Sequence, residues 1–374
     1  MVSGFDAIVV GGGAMGTATA RSLAARGRDT LLLERFSFGH ANGSSGGPTR
    51  IFRLTYHDPE YVRMARLALA SWTELEEAAG ERLMINTAGL DVGPGGRSSA
   101  EALRAAGESL EYLAPEAVRE RWPALRFPPD AEIFVQEDGG VCRAERAVLA
   151  QARLAADHGA TIREQMTVDH IGPAGDGVEV VTTDDEVVRA PVAVVTAGPW
   201  AGALLRSAGI DLPLVPSFEQ VTYFELDDPS TLPTVIDWDE DPVQTPYWVP
   251  DPAEPGHFKI ALHMSGPSVD ADARTFDPDP VRVERVRRYA SEHVTGHRPT
   301  ERTDTCLYTN TPDEEFVIDR VGPLVIGSPC SGHGFKFTPF IGEQLARLAV
   351  GESPEVDLTR FAASRTALQV GSPS

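Results

Sequence analysis

Short unbroken apolar runs and stretches of helical spacing alternate along the first third of the chain. Ala7 to Val10 is an apolar run of strand length, followed by a glycine cluster and a helix that ends near Gly27; Thr30 to Leu33 is a second buried strand. From Pro59 to Glu77 the spacing predicts an amphipathic helix with Leu67, Ala70 and Leu75 among its apolar positions. Another helix, Arg143 to His158, leads through Gly159 to strands near Thr161 to Gln165 and Val178 to Thr182. The apolar strand Pro191 to Val195 runs into Thr196-Ala197-Gly198-Pro199-Trp200, a turn that suits close backbone approach to a ligand and equally an ordinary strand-to-helix connection. Asp279-Pro280 opens a helix carrying Val283, Val286, Tyr289 and Ala290. In the stretch Ser328 to Leu348 a glycine loop feeds a last helix, with Thr338 as N-cap, Pro339 at the first helical position and Ile341, Leu345 and Leu348 as its apolar stripe.

Two regions break this rhythm. Residues 86 to 141 are punctuated by Pro115, Pro123, Pro128 and Pro129, and residues 213 to 300 are rich in strand-like and aromatic positions, with an acidic loop at Asp237 to Asp241. They read as pieces of a second domain. The expected division is 1-85, 140-212 and 303-374 for a first, nucleotide-binding unit and 86-139 with 213-302 for a substrate unit.

Composition narrows the class. With 374 residues, 42% of them apolar, the chain can bury a large core. Three cysteines, Cys142, Cys306 and Cys330, are too few and too scattered for a disulfide framework or a zinc site, so no metal is expected. A net charge of -22 argues against nucleic acid and anionic membrane as partners. No charged leader, cleavage site or apolar run of bilayer length is present, and the sequence reads as cytoplasmic. Two lysines, Lys259 and Lys336, stand against 31 arginines. Arginine cannot replace a compact ammonium whose pKa is tunable, so their retention marks both positions for attention.

The candidate chemistry begins at Gly11-Gly12-Gly13-Ala14-Met15-Gly16. Gly11, Gly13 and Gly16 satisfy G-x-G-x-x-G between a strand and a helix, and Glu34 ends the next strand where an acid binds a ribose 2′-OH. This is a dinucleotide site; the acid disfavours NADP, and the motif does not separate FAD from NAD. Asn42 to Arg53, NGSSGGPTRIFR, offers free N–H groups and hydroxyls, Ser44 and Thr49 among them, beside Arg50 and Arg53, which suits a pyrophosphate or a carboxylate. Lys259 and His263 lie an even number apart on a strand-like run and face one way, which fits either a site or an edge strand with its polar side in water. Before the last helix, Gly332 and Gly334 let the backbone approach an electron-rich ligand at the positive end of the helix dipole.

TCLYTNTPDEEFVID at Thr305 to Asp319 and SGHGFKFTP at Ser331 to Pro339 resemble the monomeric sarcosine oxidase and N-methyltryptophan oxidase family, flavoproteins of the D-amino-acid-oxidase type. The likeness extends over nearly the whole chain, through Gly11, Asn42 to Arg53 and Lys259 to His263. It implies an α/β fold: an FAD-binding Rossmann-like domain of glutathione-reductase type, intertwined with an α+β substrate domain on an antiparallel sheet. It also implies FAD joined by a thioether from Cys306, with Gly11, Gly13, Gly16, Glu34, Ser44, Thr49, Gly332, Gly334 and Lys336 around the cofactor. Cys142 and Cys330 are left as small buried hydrophobes. Lys259 matches the lysine over the flavin that promotes reaction with oxygen, and Arg53 and Lys336 match the pair that holds a substrate carboxylate. His263, Tyr308 and Tyr247 match cavity residues, and Arg50 lies near the flavin. Relatives carry a histidine where this chain has Gly46 and an aspartate where it has Pro48, so the flavin surroundings are expected to differ.

The implied activity is oxidation of a secondary amino acid by O2 in a monomeric enzyme, with hydrogen peroxide as product. A cyclic imino acid of the proline or pipecolate type is the alternative substrate. A non-catalytic dinucleotide-binding module is the alternative of another class, and it has no use for Cys306, Lys259 and Lys336 together.

Overall fold

The computed structural model describes residues 4–228, 232–238 and 245–369. The predicted strands Ala7–Val10, Thr30–Leu33 and Val192–Val195 are buried at every position, as strands covered on both faces must be. They form the centre of a six-stranded sheet in the order Val317–Val321, Leu324–Ser328, Val192–Val195, Ala7–Val10, Thr30–Leu33, Thr161–Arg163. All neighbours are parallel except the first pair, which is antiparallel. One face is covered by the helices Ala14–Ala25, Ala144–Asp157, Pro59–Ala79 and Thr338–Val350, the other by the antiparallel sheet of Val168–Ala174, Gly177–Thr182 and Val187–Ala190.

The helix Pro59–Ala79 starts where Asp58 accepts a hydrogen bond from the Glu60 N–H at 2.8 Å and stops at Gly80, whose φ of 69° closes a left-handed cap. Its buried face is Tyr61, Val62, Met64, Ala65, Ala68, Trp72 and Leu75. Of the three apolar positions expected to face the core, only Leu75 does; Leu67 and Ala70 are exposed, because Trp72 sets the packing face. The last helix begins at Thr338 as predicted, but Phe337 is its N-cap and the Thr338 hydroxyl bonds back to the Phe335 carbonyl at 2.6 Å. The preceding turn of 3-10 helix, Phe335–Phe337, takes over the role expected of a capping side chain.

The second layer is an eight-stranded sheet: His297–Asn310, Val215–Leu226, His257–Leu262, Pro246–Pro250, Thr234–Asp237, Gly89–Val92, Ile133–Gln136 and Glu111–Leu113. The helix Pro280–His293 packs behind it over Phe224, Trp248, Phe258 and Ile260. The sheet is not wholly antiparallel. Thr234–Asp237 runs parallel to Gly89–Val92, and this pair is the seam where the proline-punctuated segment meets the aromatic-rich one. The strand His297–Asn310 pairs with Val215–Leu226 from end to end, so the boundary expected at 303 falls inside a continuous element. Of the acidic loop at 237 to 241, Asp237 is described and residues 239 to 241 lie outside the described residues.

Candidate active site

A cavity of about 390 Å3 runs between the two layers, from the carboxyl ends of Ala7–Val10 and Thr30–Leu33 to the glycine loop before the last helix. Gly11, Gly13, Glu34, Ser44, Arg50, Tyr308, Gly332 and Gly334 line it, together with Trp200, Cys330 and Phe335. At its nucleotide end Glu34 accepts hydrogen bonds from the N–H groups of Gly12 at 2.5 Å and Phe36 at 2.8 Å, which fixes the carboxylate at the strand terminus. Gly16 does not line the cavity; a Cβ there would lie 1.7 Å from the Gly11 carbonyl, so its absence lets helix and strand close on each other. Ser45 accepts from the Ala14 N–H at 3.0 Å and ties the loop to the helix start. A long, glycine-walled cavity with a ribose-type acid at one end fits a dinucleotide such as FAD.

Lys259, Lys336, Arg53, His263, Tyr247 and Cys306 do not line this cavity; they lie next to residues that do, and both lysines are buried. Lys259 sits on a central strand, between Val215–Leu226 and Pro246–Pro250, so the edge-strand alternative does not hold. Its ammonium donates to the Thr49 carbonyl at 2.8 Å, which also accepts from Arg50 at 2.8 Å. Arg50 is held further by the carbonyls of Ser44 at 2.8 Å and Gly46 at 2.6 Å. Burial, and after it the Arg50 guanidinium, lowers the Lys259 pKa to about 7. Gly46 belongs to this arrangement: a Cβ there would lie 2.7 Å from the His40 carbonyl, so the tight loop that aims two carbonyls at Arg50 excludes a side chain.

Lys336 donates to the Tyr56 hydroxyl and to the His333 carbonyl, both at 2.8 Å. Burial and the nearby Arg53 guanidinium push its pKa well down. Arg53 bonds to the carbonyl and hydroxyl of Thr55, approaches Asp91 at 3.9 Å, and lies 4.6 Å above the Tyr56 ring, with the Lys336 ammonium 5.2 Å from that ring. Tyr56 therefore joins the two cations that the sequence singled out separately. Asp91 in turn accepts from the Trp238 indole at 2.7 Å, and that ring lies 5.4 Å from Arg53. His263, one residue past the end of its strand, packs against Tyr308, and Gly332 is the place where a side chain would strike both rings. Burial, then Arg53 and Lys336, hold the His263 pKa at about 4, so the imidazole is neutral at pH 7. The Tyr247 and Tyr308 hydroxyls meet at 3.4 Å; burial pushes Tyr247 up to about 12 and Tyr308 well above its usual range.

Cys306 is half-buried opposite Glu219, on the same strand face as Tyr308, and the charges acting on its thiol include Arg50 and Lys259. Cys142 is the buried apolar thiol expected, touching the Met84 sulfur at 3.3 Å. Cys330 is not: it lines the cavity with its sulfur 3.1 Å from the Ser328 hydroxyl. Sequence reasoning missed Tyr56, His333, Asp91 and Trp238. Tyr56 had a local signal, an aromatic three residues after Arg53; Asp91 had another, an acid in the otherwise apolar strand Gly89–Val92. Among the described residues no cluster of His, Cys, Asp and Glu could hold a metal ion, and no helix is long and apolar enough to cross a membrane.

Residues 6–348 match the family described as FAD dependent oxidoreductase, and the chain belongs to that family. Within it, the chain is 33% identical to monomeric sarcosine oxidase of Bacillus sp. (strain B-0618), with 99% of this chain and 98% of that protein covered. It is 34% identical to peroxisomal sarcosine oxidase of Mus musculus over 96% of each. Among solved structures, the open form of NikD, an unusual amino acid oxidase essential for nikkomycin biosynthesis, superposes with a TM-score of 0.87 at 28% identity, covering 96% of this chain and 97% of that one.

Proposed function

We propose that this chain oxidises secondary amino acids, N-methyl amino acids such as sarcosine foremost, with O2 as the acceptor and hydrogen peroxide as a product. Loss of a hydride from the carbon next to nitrogen and of a proton from the nitrogen gives an imine, which water hydrolyses to an aldehyde and the demethylated amino acid. FAD, when bound, supplies the two-electron acceptor; the residues around it bind, orient and charge. The observation that carries the reading is the pairing of Arg53 with Lys336 across one tyrosine ring, Lys336 following directly on Gly334 and Phe335, which line a dinucleotide cavity. A cation about 4 Å from a carboxylate is worth on the order of 4 kcal/mol at an effective dielectric near 20, whereas the acidic surface is largely screened beyond about 8 Å.

In this proposal Arg53 and Lys336 grip the substrate carboxylate, and the neutral His263 with the Tyr247–Tyr308 pair walls the amine. Arg50 and Lys259 place positive charge where electron density accumulates, Lys259 toward oxygen. Gly11, Gly13, Gly16, Glu34, Ser44, Thr49, Gly332 and Gly334 hold the cofactor, and Cys306 is its point of covalent attachment. The enzyme is read as monomeric and cytoplasmic, its three free thiols suiting a reducing compartment. A non-catalytic module would gain nothing from two buried lysines.

The test is peroxide release across N-methyl amino acids, cyclic imino acids and the matching amines without a carboxylate. Sarcosine-type substrates are expected to lead. Dimethylamine turned over as efficiently as sarcosine would sink the carboxylate clamp, and proline or pipecolate in front would transfer the assignment to cyclic imino acids. Acid precipitation of the holoenzyme should leave the flavin with the protein pellet, and Cys306→Ser should release it to the supernatant.

A further inference from the structure

Behind Lys336 lies a continuous line of polar contacts that leads out of the site. The Lys336 ammonium is 2.8 Å from the Tyr56 hydroxyl, that hydroxyl is 3.1 Å from His333 Nδ1, and His333 Nε2 is 3.2 Å from the Glu314 carbonyl. The buried lysine and tyrosine are thus joined to a half-buried histidine whose outer nitrogen sits at an exposed contact. Among the described residues no carboxylate pairs with Lys336, while Arg53 shares the Tyr56 ring with it.

Resting on the carboxylate clamp proposed above, we infer that Tyr56 and His333 form a proton relay from solvent to Lys336, through which the lysine acquires its charge as the substrate carboxylate arrives. The directions of the three contacts support it. A carbonyl only accepts, so the contact at Glu314 places a hydrogen on Nε2. Nδ1 then accepts from the Tyr56 hydroxyl, whose oxygen accepts from the charged lysine. The neutral state reverses the hydrogens along the line: Nδ1–H donates to the tyrosine oxygen, the tyrosine donates to the lysine lone pair, and Nε2 gives up its hydrogen bond to the Glu314 carbonyl. Passage from neutral to charged adds one proton at Nε2, moves one from Nδ1 to the tyrosine oxygen and one from the tyrosine to Nζ. One proton enters, at Nε2, and the contact with the Glu314 carbonyl is made in the charged state.

The surroundings favour passage over storage. Burial, then Lys336, Arg53 and His263, hold the His333 pKa well below its usual value, the Glu314 carbonyl acting in the opposite sense. Its ring stacks on Phe316 at 4.5 Å and meets the edge of Tyr61 at 5.4 Å, whose hydroxyl donates to Glu315 at 2.8 Å. Glu315 is itself paired with Arg360, and Arg360 with Asp58 and Glu60, so these charges balance one another on the far side. Around Lys336 the other titratable groups are Arg53, His263 and the buried thiol of Cys142. An arriving carboxylate offsets the repulsion from Arg53, and only then does the buried ammonium become favourable.

The experiment titrates the holoenzyme with propionate, a carboxylate that has no oxidisable amine. Calorimetry at pH 8 in two buffers of different ionisation enthalpy counts the protons, and stopped flow with a pH indicator times them against the flavin spectral change. Wild type should take up about half to one proton per propionate bound, in step with binding. Lys336→Met should abolish the uptake. Tyr56→Phe and His333→Asn should each bind propionate yet show uptake that lags binding by about tenfold or more; flavin content and circular dichroism establish that each variant is folded, and either one suffices. Propionate binding without proton uptake, or uptake at the wild-type rate in the relay variants, overturns the relay and leaves the clamp standing. Failure of propionate to bind at all overturns both.

Discussion

The two ends of the cavity are built by different means. At the nucleotide end the parts are adjacent in sequence and mostly backbone: Gly11 to Gly16 in one turn, then Glu34 fixed by the N–H groups of Gly12 and Phe36. Beside the other end, behind the residues that line it, the parts are side chains from widely separated segments: Arg53 and Tyr56 after one strand, Asp91 from the second layer, Lys259 and His263 from a central strand and its exit, Lys336 from the glycine loop. The first end is set by local chain geometry and needs no buried charge beyond one acid. The second concentrates like charges in a desolvated space and holds them on carbonyls and a phenol. Backbone suffices to bind a cofactor that is always the same; side chains are needed where a reaction must be charged and a substrate recognised.

The largest effect should come from breaking the nucleotide end. In Gly16→Ala the new Cβ meets the Gly11 carbonyl at 1.7 Å, and because both are backbone nothing cheap can yield. The purified variant is expected to carry no flavin, as read from its absorption between 350 and 500 nm, about the range of an isoalloxazine. Normal flavin content would show that the close approach of helix and strand is not required.

At the reaction end the charges should separate by role. Lys259→Met should slow reoxidation of the reduced enzyme by roughly a hundred- to a thousandfold, the usual cost of about 3 to 4 kcal/mol for one preorganised electrostatic group. Anaerobic reduction by substrate should change far less. Equal losses in both half-reactions, followed by stopped flow, would place Lys259 on the substrate side with Lys336. A smaller effect is expected for the clamp. Arg53→Ala and Lys336→Ala should each raise the dissociation constant of a carboxylate ligand about tenfold to a hundredfold, as for a hydrogen bond to a charged group, with flavin retained. Arg53→Ala carries a second consequence, since it takes the guanidinium away from the buried Asp91 carboxylate and leaves it the Trp238 indole, with His57 nearby. Its melting temperature should therefore fall further than that of Lys336→Ala.

The same contrast governs how much could be read from the sequence. Glycine spacing, strand length and the acid at Glu34 are local, so the glycine turn and four of the six strands of its sheet were legible, while Val317–Val321 and Leu324–Ser328 were not read. For the reaction end, spacing alone brought out Lys259 with His263 and Arg50 with Arg53, while the family resemblance supplied Tyr308, Tyr247 and the grouping of Arg53 with Lys336. The exposed Leu67 shows the limit of periodicity: Trp72 decides which side of a long helix is buried, and its indole bond to the Lys336 carbonyl at 2.7 Å is tertiary. Asp91 and Tyr56 were passed over because nothing local says that strand Gly89–Val92 will face Arg53. The seam with Thr234–Asp237 decides that, and it joins residues more than a hundred positions apart.

The smallest effect separates the two lysines by pH. Lys259, held near a pKa of about 7, is charged below that value and neutral above it, so if its charge serves oxygen the reoxidation rate should fall as pH rises. The fall should be roughly tenfold between one unit below and one unit above, and Lys259→Met should abolish it. Stability must move the opposite way. The unfolded chain protonates this lysine up to a pKa of about 10.4, while the folded protein releases the proton near 7. Between those values the unfolded state binds more protons, so folding stability gains with rising pH, and below about 7 the full cost of the buried ammonium is present. In a comparison of wild type with Lys259→Met, the stability gap should therefore shift in favour of wild type from pH 7 to pH 10 while wild-type reoxidation slows. A gap independent of pH would mean that the ammonium is not desolvated as its burial at the Thr49 carbonyl requires. In that case reoxidation would have to owe its charge to Arg50, and the pH profile would be flat.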